Sequence, residues 1–368
     1  IVRTDAGTLF VAGYGSELDA DAPTPFPLAD PRSSANPPHL WRSDDGGATW
    51  SVVDVGAFAD GARGNSDVDL AYGDGTLYLA SMRFYWAGQG ISVGASEDDG
   101  RTWCWADITH QPLVDRPWVA VAPDGAAHLV WNDGVGVHHA RSLDRGRTWT
   151  QTGLVAERGG SGQLAVSPEG ALAARIIPAS GSGYTKWEEG ATDGVAVSLD
   201  GGQTWSYRAL PGERRYHTVF EDTQGEPFRW ADPLVFDPAG TLYAAWPAGE
   251  TIVLARSGDL GATWETRVLV EQAGAAPHFP ALFANATGEL ALTWYELGRK
   301  VVAHVAHATG ADSDQPRVRA ASFGIVGVRP GGEYIGALFL PDGSIGVTMT
   351  YDAGGSAAQR GFEYRVAR

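Results

Sequence analysis

The chain has 368 residues, 43% of them hydrophobic, and a net charge of −17 from 27 Lys plus Arg against 44 Asp plus Glu. So acidic a chain lacks the basic surface that nucleic acid or an anionic membrane demands, and no run approaches the roughly 20 apolar residues of a membrane-spanning helix. Cys104 is the one cysteine, which excludes an intrachain disulfide and a cysteine-based zinc site.

In chain order, the first hairpin turns at Gly7 and is followed by a long loop, Glu17 to Pro38, and the octapeptide Ser43 to Trp50. The second turns at Gly75, inside Asp74-Gly75-Thr76-Leu77-Tyr78-Leu79, and leads to Ser96 to Trp103. Hairpins at Gly125, Gly170 and Gly240 lead to Ser142 to Trp149, Ser198 to Trp205 and Ser257 to Trp264. The sixth, at Gly288, precedes a degenerate copy near Gly310 to Pro316, and the seventh, at Gly343, precedes only the strand-like Gly361 to Val366. Cys104, between Trp103 and Trp105, is expected to be a small buried hydrophobe.

The five octapeptides share the pattern Ser-x-Asp-x-Gly-x-Thr-Trp. Asp and Ser side chains bond nearby backbone groups in turns, Gly supplies a conformation a Cβ resists, and the Trp is expected to fix the hairpin to the next sheet. Two hairpins per unit make a four-stranded blade, and a ring of blades is a propeller. The expectation is an all-β chain, a single β-propeller domain over 1–368, with seven blades and six as the alternative. The seventh unit lacks an outer strand, which an N-terminal segment is expected to supply.

The octapeptide is similar to the Asp box of sialidases and other BNR-repeat proteins, and the resemblance covers essentially the whole chain. Glu333-Tyr334-Ile335-Gly336-Ala337-Leu338 looks like the sialidase segment that places a nucleophilic Tyr, so the resemblance implies Tyr334 as nucleophile with Glu333 beside it. The sequence departs from the sialidase pattern elsewhere. Gly13-Tyr14-Gly15-Ser16 stands where sialidases carry Glu-Gly-Arg, Pro37-Pro38-His39-Leu40 where the acid/base Asp belongs, and Ser161 replaces a Glu upstream of Gln163 and Arg175. What the resemblance implies is a secreted glycoside hydrolase acting on sialic acid or another acidic sugar. The alternatives are a non-catalytic propeller that binds a glycan or a protein, and a polysaccharide lyase.

In a propeller, a ligand sits over the central channel at the face opposite these turns. Residues entering the inner strands there are polar: Asp67, Asp115, Arg116, Trp118, Arg229, Trp230, Asp232, His278, Glu333 and Tyr334. Residues leaving the partner strands add Arg83 and Tyr295, and Arg175 lies in the fourth unit. Asp67, Asp115 and Asp232 are candidate acid/bases. Arg83, Arg116, Arg175 and Arg229 are candidates for gripping a carboxylate, and Trp118, Trp230, His278 and Tyr295 for contacting sugar. An Asp or Arg at a blade start also serves simply to bond the neighbouring blade. The pairs His138-His139 and His304 with His307 read as strand residues, and no metal ligand set or cofactor motif is present. Calcium is compatible with such a fold, although no ligand loop identifies it. The chain begins at Ile1 rather than Met, so a leader is expected to have been removed and the location to be secreted, periplasmic or cell-surface.

Overall fold

Seven consecutive antiparallel sheets make up the computed structural model. It describes residues 1–13, 37–64, 66–83, 89–133, 135–177, 179–180, 186–187, 193–212, 232–297, 300–313, 315–327, 329–352 and 361–368; for 179–180, 186–187, 325–327, 329–334, 350–352 and 361 the backbone alone is described.

Blade 1 contains Val2–Arg3, Leu9–Gly13, His39–Ser43 and Ser51–Val52, and blade 2 contains Val68–Gly73, Thr76–Arg83, Gly90–Ser96 and Cys104–Thr109. Blade 3 is Asp115–Val121, Ala127–Asn132, Val137–Ser142 and Thr150–Ala156, and blade 4 is Gly160–Val166, Leu172–Ile177, Gly194–Ser198 and Ser206–Ala209. Blade 5 is Leu234–Phe236, Leu242–Ala248, Thr251–Ser257 and Glu265–Glu271, and blade 6 is Pro277–Ala284, Leu290–Leu297, Val301–Thr309 and Arg317–Gly327. Blade 7 has three strands, Arg329–Phe339, Ile345–Asp352 and Gly361–Ala367. Ala179–Ser180 and Lys186–Trp187 form a small ribbon beside blade 4. Among the described residues the helical content is one 3-10 turn, Phe58–Asp60.

The first strand of each blade faces the central channel, and first strands of neighbouring blades lie side by side. Strands buried on both faces read as continuous apolar runs, and six apolar clusters fill the seams from blades 1 and 2 round to blades 6 and 7. The seventh seam is aromatic: Trp41 and Trp50 of blade 1 pack on Phe362 and Tyr364 of blade 7, with ring centroids 4.9–5.4 Å apart.

Each octapeptide is the same hydrogen-bonded turn. In blade 1, Ser43 Oγ donates to Asp45 Oδ1 (2.8 Å), and Asp45 accepts from Thr49 N (2.8 Å) and Thr49 Oγ1 (2.6 Å). These donors hold the Asp45 carboxyl well down, at about 2, with the Thr49 hydroxyl the largest cause. The glycine answers two demands at once. Gly202 has φ +83°, and a Cβ there would overlap the His139 ring of blade 3. Gly47 has φ +92° and meets Tyr364 of blade 7 in the same way.

Three sequence expectations are corrected. The octapeptide tryptophan packs on the preceding blade, as Trp149 does on Tyr78 and Trp205 on His139, because its strand joins the outer edge of its own sheet. The N-terminal segment Val2–Arg3 pairs with Leu9–Phe10 as the inner strand of blade 1 and adds nothing to blade 7. Cys104 is exposed, since it stands at the solvent-facing start of an outer strand.

Candidate functional site

At one end of the ring lie the octapeptides and the seven Gly turns, all of positive φ from +71° to +89°. We call that end lower, and the end where the inner strands begin upper. In blades 3, 4, 6 and 7 the inner strand enters the upper end with a kink. In blade 3, Asp115 pairs with Asn132 and Trp118 with Val130, so Arg116 and Pro117 together oppose Trp131. The same bulge puts Gly162 and Gln163 opposite Arg175 in blade 4, and Phe279 and Pro280 opposite Trp294 in blade 6. Arg116 and Phe279, the first bulge residues, both have φ +51°. A bulge bends its strand and re-aims side chains. In blade 7 the irregularity is larger, with residues 331–334 between the Pro330–Tyr351 and Ile335–Met349 pairs. The backbone of Glu333 and Tyr334 therefore lies in the bulged stretch of blade 7's inner strand; their side chains lie outside the described residues.

Carboxyl groups of neighbouring blades meet where the inner strands of blades 2 and 3 begin. Asp67 and Asp115 open the inner strands of blades 2 and 3, and their side chains hydrogen-bond each other. Two carboxylates cannot share a hydrogen bond unless one holds a proton. Burial pushes the Asp115 carboxyl up to about 7, and the charge and hydrogen bond of Asp67 push the same way against the opposing Arg116. Arg116 Nε stands 3.7 Å from Asp115 Oδ2, with side chains 4% and 27% exposed. Two residues into blade 2, Asp69 Oδ2 accepts from Val119 N at 2.9 Å, and burial raises its carboxyl to about 6.

The next two seams are tied by fully buried polar groups. Between blades 3 and 4, Ser161 donates through N (3.0 Å) and Oγ (2.8 Å) to Asn132 Oδ1, and its Oγ also lies 3.2 Å from the Arg116 carbonyl. Between blades 4 and 5, Arg175 Nη2 bridges Asp193 (2.9 Å) and Asp232 (3.2 Å), all three side chains 0% exposed. The guanidinium also lies 5.9 Å from the Trp246 ring. Gly162 permits this: a Cβ there would come 2.8 Å from Arg175 Cβ and 3.0 Å from the Asp232 carbonyl.

Of the residues singled out in the sequence, Asp67, Asp115 and Arg116 are thus gathered at one seam. Asp232 and Arg175 engage each other inside the protein, so neither presents a face to a ligand. Tyr295 is fully buried in the core between blades 6 and 7, because it faces His278 across the bulged hairpin. His278 is 9% exposed and held down to about 4 by burial. Trp118 is 8% exposed and lines the channel. Arg83, 7% exposed, turns to the other side of blade 2 and donates to His110 Nδ1 at 2.8 Å. Arg229 and Trp230 lie outside the described residues. The sequence reading missed Asp193, whose role follows from register between blades that no local motif encodes.

A cavity of about 900 Å³ fills the channel from Trp118 and Gln163 down to Pro341 and Gly343. Its wall combines the apolar inner faces of the blades with Asp69, Gln163 and, toward the Gly turns, Arg3, Asn285, Thr287 and Glu289. It reaches the lower end rather than the Asp67–Asp115 pair. Among the described residues no group of three or more His, Cys, Asp or Glu is placed to hold a metal ion, and no helix is long and apolar enough to cross a membrane.

No protein-family profile matches the chain, and no curated protein does. Solved structures do. A protein from Lactobacillus plantarum superposes with TM-score 0.57 at 14% identity, over 98% of this chain and 99% of that one. A protein of unknown function from Dyadobacter fermentans gives TM-score 0.55 at 14% identity, over 81% and 93%. The NanB sialidase of Streptococcus pneumoniae gives TM-score 0.52 at 13% identity, over 81% of this chain and 67% of that one. At such identities the likeness is one of fold: an all-β, seven-bladed propeller.

Proposed function

We propose that the chain is an exported glycan-active enzyme, a glycoside hydrolase on an acidic sugar, in which the Asp67–Asp115 pair handles the proton. The observation that carries this reading is the shared hydrogen bond between the two carboxyl groups at the upper end of the blade 2–3 seam. A carboxyl held protonated near neutral pH is the equipment of a general acid. It protonates the departing glycosidic oxygen and recovers its proton from water in the following step.

The pair acts as one unit. Two carboxyls in hydrogen-bond contact are closer than the roughly 5–5.5 Å of a retaining pair or the 6.5–9.5 Å of an inverting one. The nucleophile therefore comes from elsewhere. Tyr334 is the candidate: its backbone lies in the bulge of blade 7, and a neutral phenol avoids repelling an anionic sugar.

A non-catalytic glycan-binding propeller is favoured by a different observation, namely that Arg175 is already engaged by two carboxylates. The two readings separate in one assay. The purified chain is given fluorogenic glycosides of sialic acid, a uronic acid and a neutral sugar, with Tyr334→Phe alongside. Cleavage of an acidic glycoside, lost in the variant, supports the enzyme. Binding without cleavage of any of them removes it.

A further inference from the structure

Asp115 and Asn132 are cross-strand partners at the upper end of blade 3, and Ser161 stands second in the inner strand of blade 4 beside them. Asn132 and Ser161 are 0% exposed. Ser161 N and Oγ both donate to Asn132 Oδ1, at 3.0 and 2.8 Å, and the same hydroxyl lies 3.2 Å from the Arg116 carbonyl. The amide's other end is left over: Asn132 Nδ2 is buried without a hydrogen-bond partner among the described residues. A buried donor left unpaired destabilises, so an apolar side chain would hold this seam better. Asn132 answers a demand other than stability.

That demand is the conformation of Arg116. Its φ of +51° is uncommon in a residue other than glycine and persists where the surroundings fix it. In this conformation Arg116 turns two donors on Asp115. Its Nε stands 3.7 Å from Asp115 Oδ2, and its own backbone N–H bonds the same carboxyl. Rotation of the Arg116 backbone out of the left-handed region moves both donors away. The carbonyl is the part of that backbone gripped from the next blade, and Ser161 grips it.

We infer that Ser161, anchored by Asn132, is a positioning residue for the Asp67–Asp115 pair: it fixes the Arg116 backbone and with it the donors that Arg116 turns on Asp115. This rests on the reading of the pair as the proton-handling group, and it extends the site from two blades to three. Arg116 draws the Asp115 carboxyl down, against burial and Asp67, which push it up. Loosening Arg116 therefore raises it.

The test is carboxyl NMR titration of Asp115 in the full chain, which is read whether or not the protein cleaves a glycoside. Ser161→Ala is expected to raise the titration of Asp115 by on the order of half a unit, about threefold in proton affinity, and Asn132→Ala to move it the same way. Gly202→Ala disturbs the same seam at its lower end and is expected to leave Asp115 in place. In an Arg116→Met background, where the guanidinium is already gone, Ser161→Ala is expected to move Asp115 less than it does in the wild type. The inference is overturned by an unmoved Asp115 in folded Ser161→Ala and Asn132→Ala, by an equal shift in Gly202→Ala, or by an undiminished shift in the Arg116→Met background. Hydrolysis measured in parallel keeps the two ideas apart. With cleavage, the alkaline limb of the Ser161→Ala rate profile is expected to move to higher pH with the titration. A shifted titration without cleavage in the wild type removes the enzyme and leaves the positioning role in place.

Discussion

Asp67 and Asp115 stand at the starts of the inner strands of consecutive blades, and their carboxyl groups share a hydrogen bond. The arrangement requires a proton on one of them, and burial makes Asp115 the group whose carboxyl is lifted, to about 7.

Replacing Asp67 with Asn removes the neighbouring negative charge, so the Asp115 carboxyl is expected to titrate lower, by on the order of one unit. For a general acid, activity is lost as pH rises through its pKa, so the alkaline limb of the rate profile moves to lower pH. Folding responds too. A carboxyl raised from 3.8 to about 7 binds its proton more readily in the folded state, so its contribution is present at low pH and lost as pH rises through that window. Carboxyl NMR of the variant and wild type measures the shift directly, and an unchanged titration contradicts the coupling.

The buried pair His128 and His139 gives the opposite sign. Their rings stack with Nδ1 to Nε2 at 3.1 Å, and burial lowers them to about 4 and about 3. Below the unfolded value of 6.5 the unfolded chain binds more protons, so stability is lost as pH falls from about 6.5 toward 3. A group displaced this far contributes on the order of 3 kcal/mol. His128→Asn is expected to flatten the dependence of Tm on pH across that window. An unaltered slope would show that other groups set it.

Gly202 and Gly75 separate two reasons for glycine. Both have positive φ, but a Cβ at Gly202 overlaps His139 while one at Gly75 meets nothing within 4 Å. Gly75→Ala is expected to cost about 1 kcal/mol from backbone conformation. Gly202→Ala adds overpacking of the blade 3–4 seam, for a total of about 2–4 kcal/mol. Equal losses in urea unfolding would rule out the close-approach account.

Arg175 and Asp232 are expected to behave as structural partners. Removing the guanidinium from this fully buried group leaves two carboxylates without it, so Arg175→Met should destabilise by about 3–5 kcal/mol. Denaturant midpoints measure this. A variant of unchanged stability that loses only ligand affinity would return both residues to the ligand site.

Much of the fold was legible because the octapeptide and the Gly turns are local devices. Asp45, Thr49 and Gly47 declare their turn within eight residues, and five copies announce repeating blades. The candidate site was only half legible. Its polar residues could be placed at the upper end by counting back from the turn glycines, which found Asp67, Asp115 and Arg116. Counting could not show which would meet. Asp232 has the same spacing from its glycine as Asp67, yet it pairs with Arg175 of the preceding blade, while Asp67 meets Asp115 of the following one. His110 was missed because it meets Arg83 only through cross-strand register. The blade 7 outer strand was misassigned because Val2–Arg3 pairs locally with Leu9–Phe10, which costs less loop closure than pairing with the far end of the chain.

The most direct test of the proton-handling pair is the rate of hydrolysis of fluorogenic sialic acid and uronic acid glycosides by the wild type and by Asp115→Asn. The account predicts cleavage of at least one acidic glycoside by the wild type and a fall of about 10²-fold or more in the variant, with the variant still folded by circular dichroism. A folded Asp115→Asn as active as the wild type, or a wild type inert toward every acidic glycoside, would contradict it.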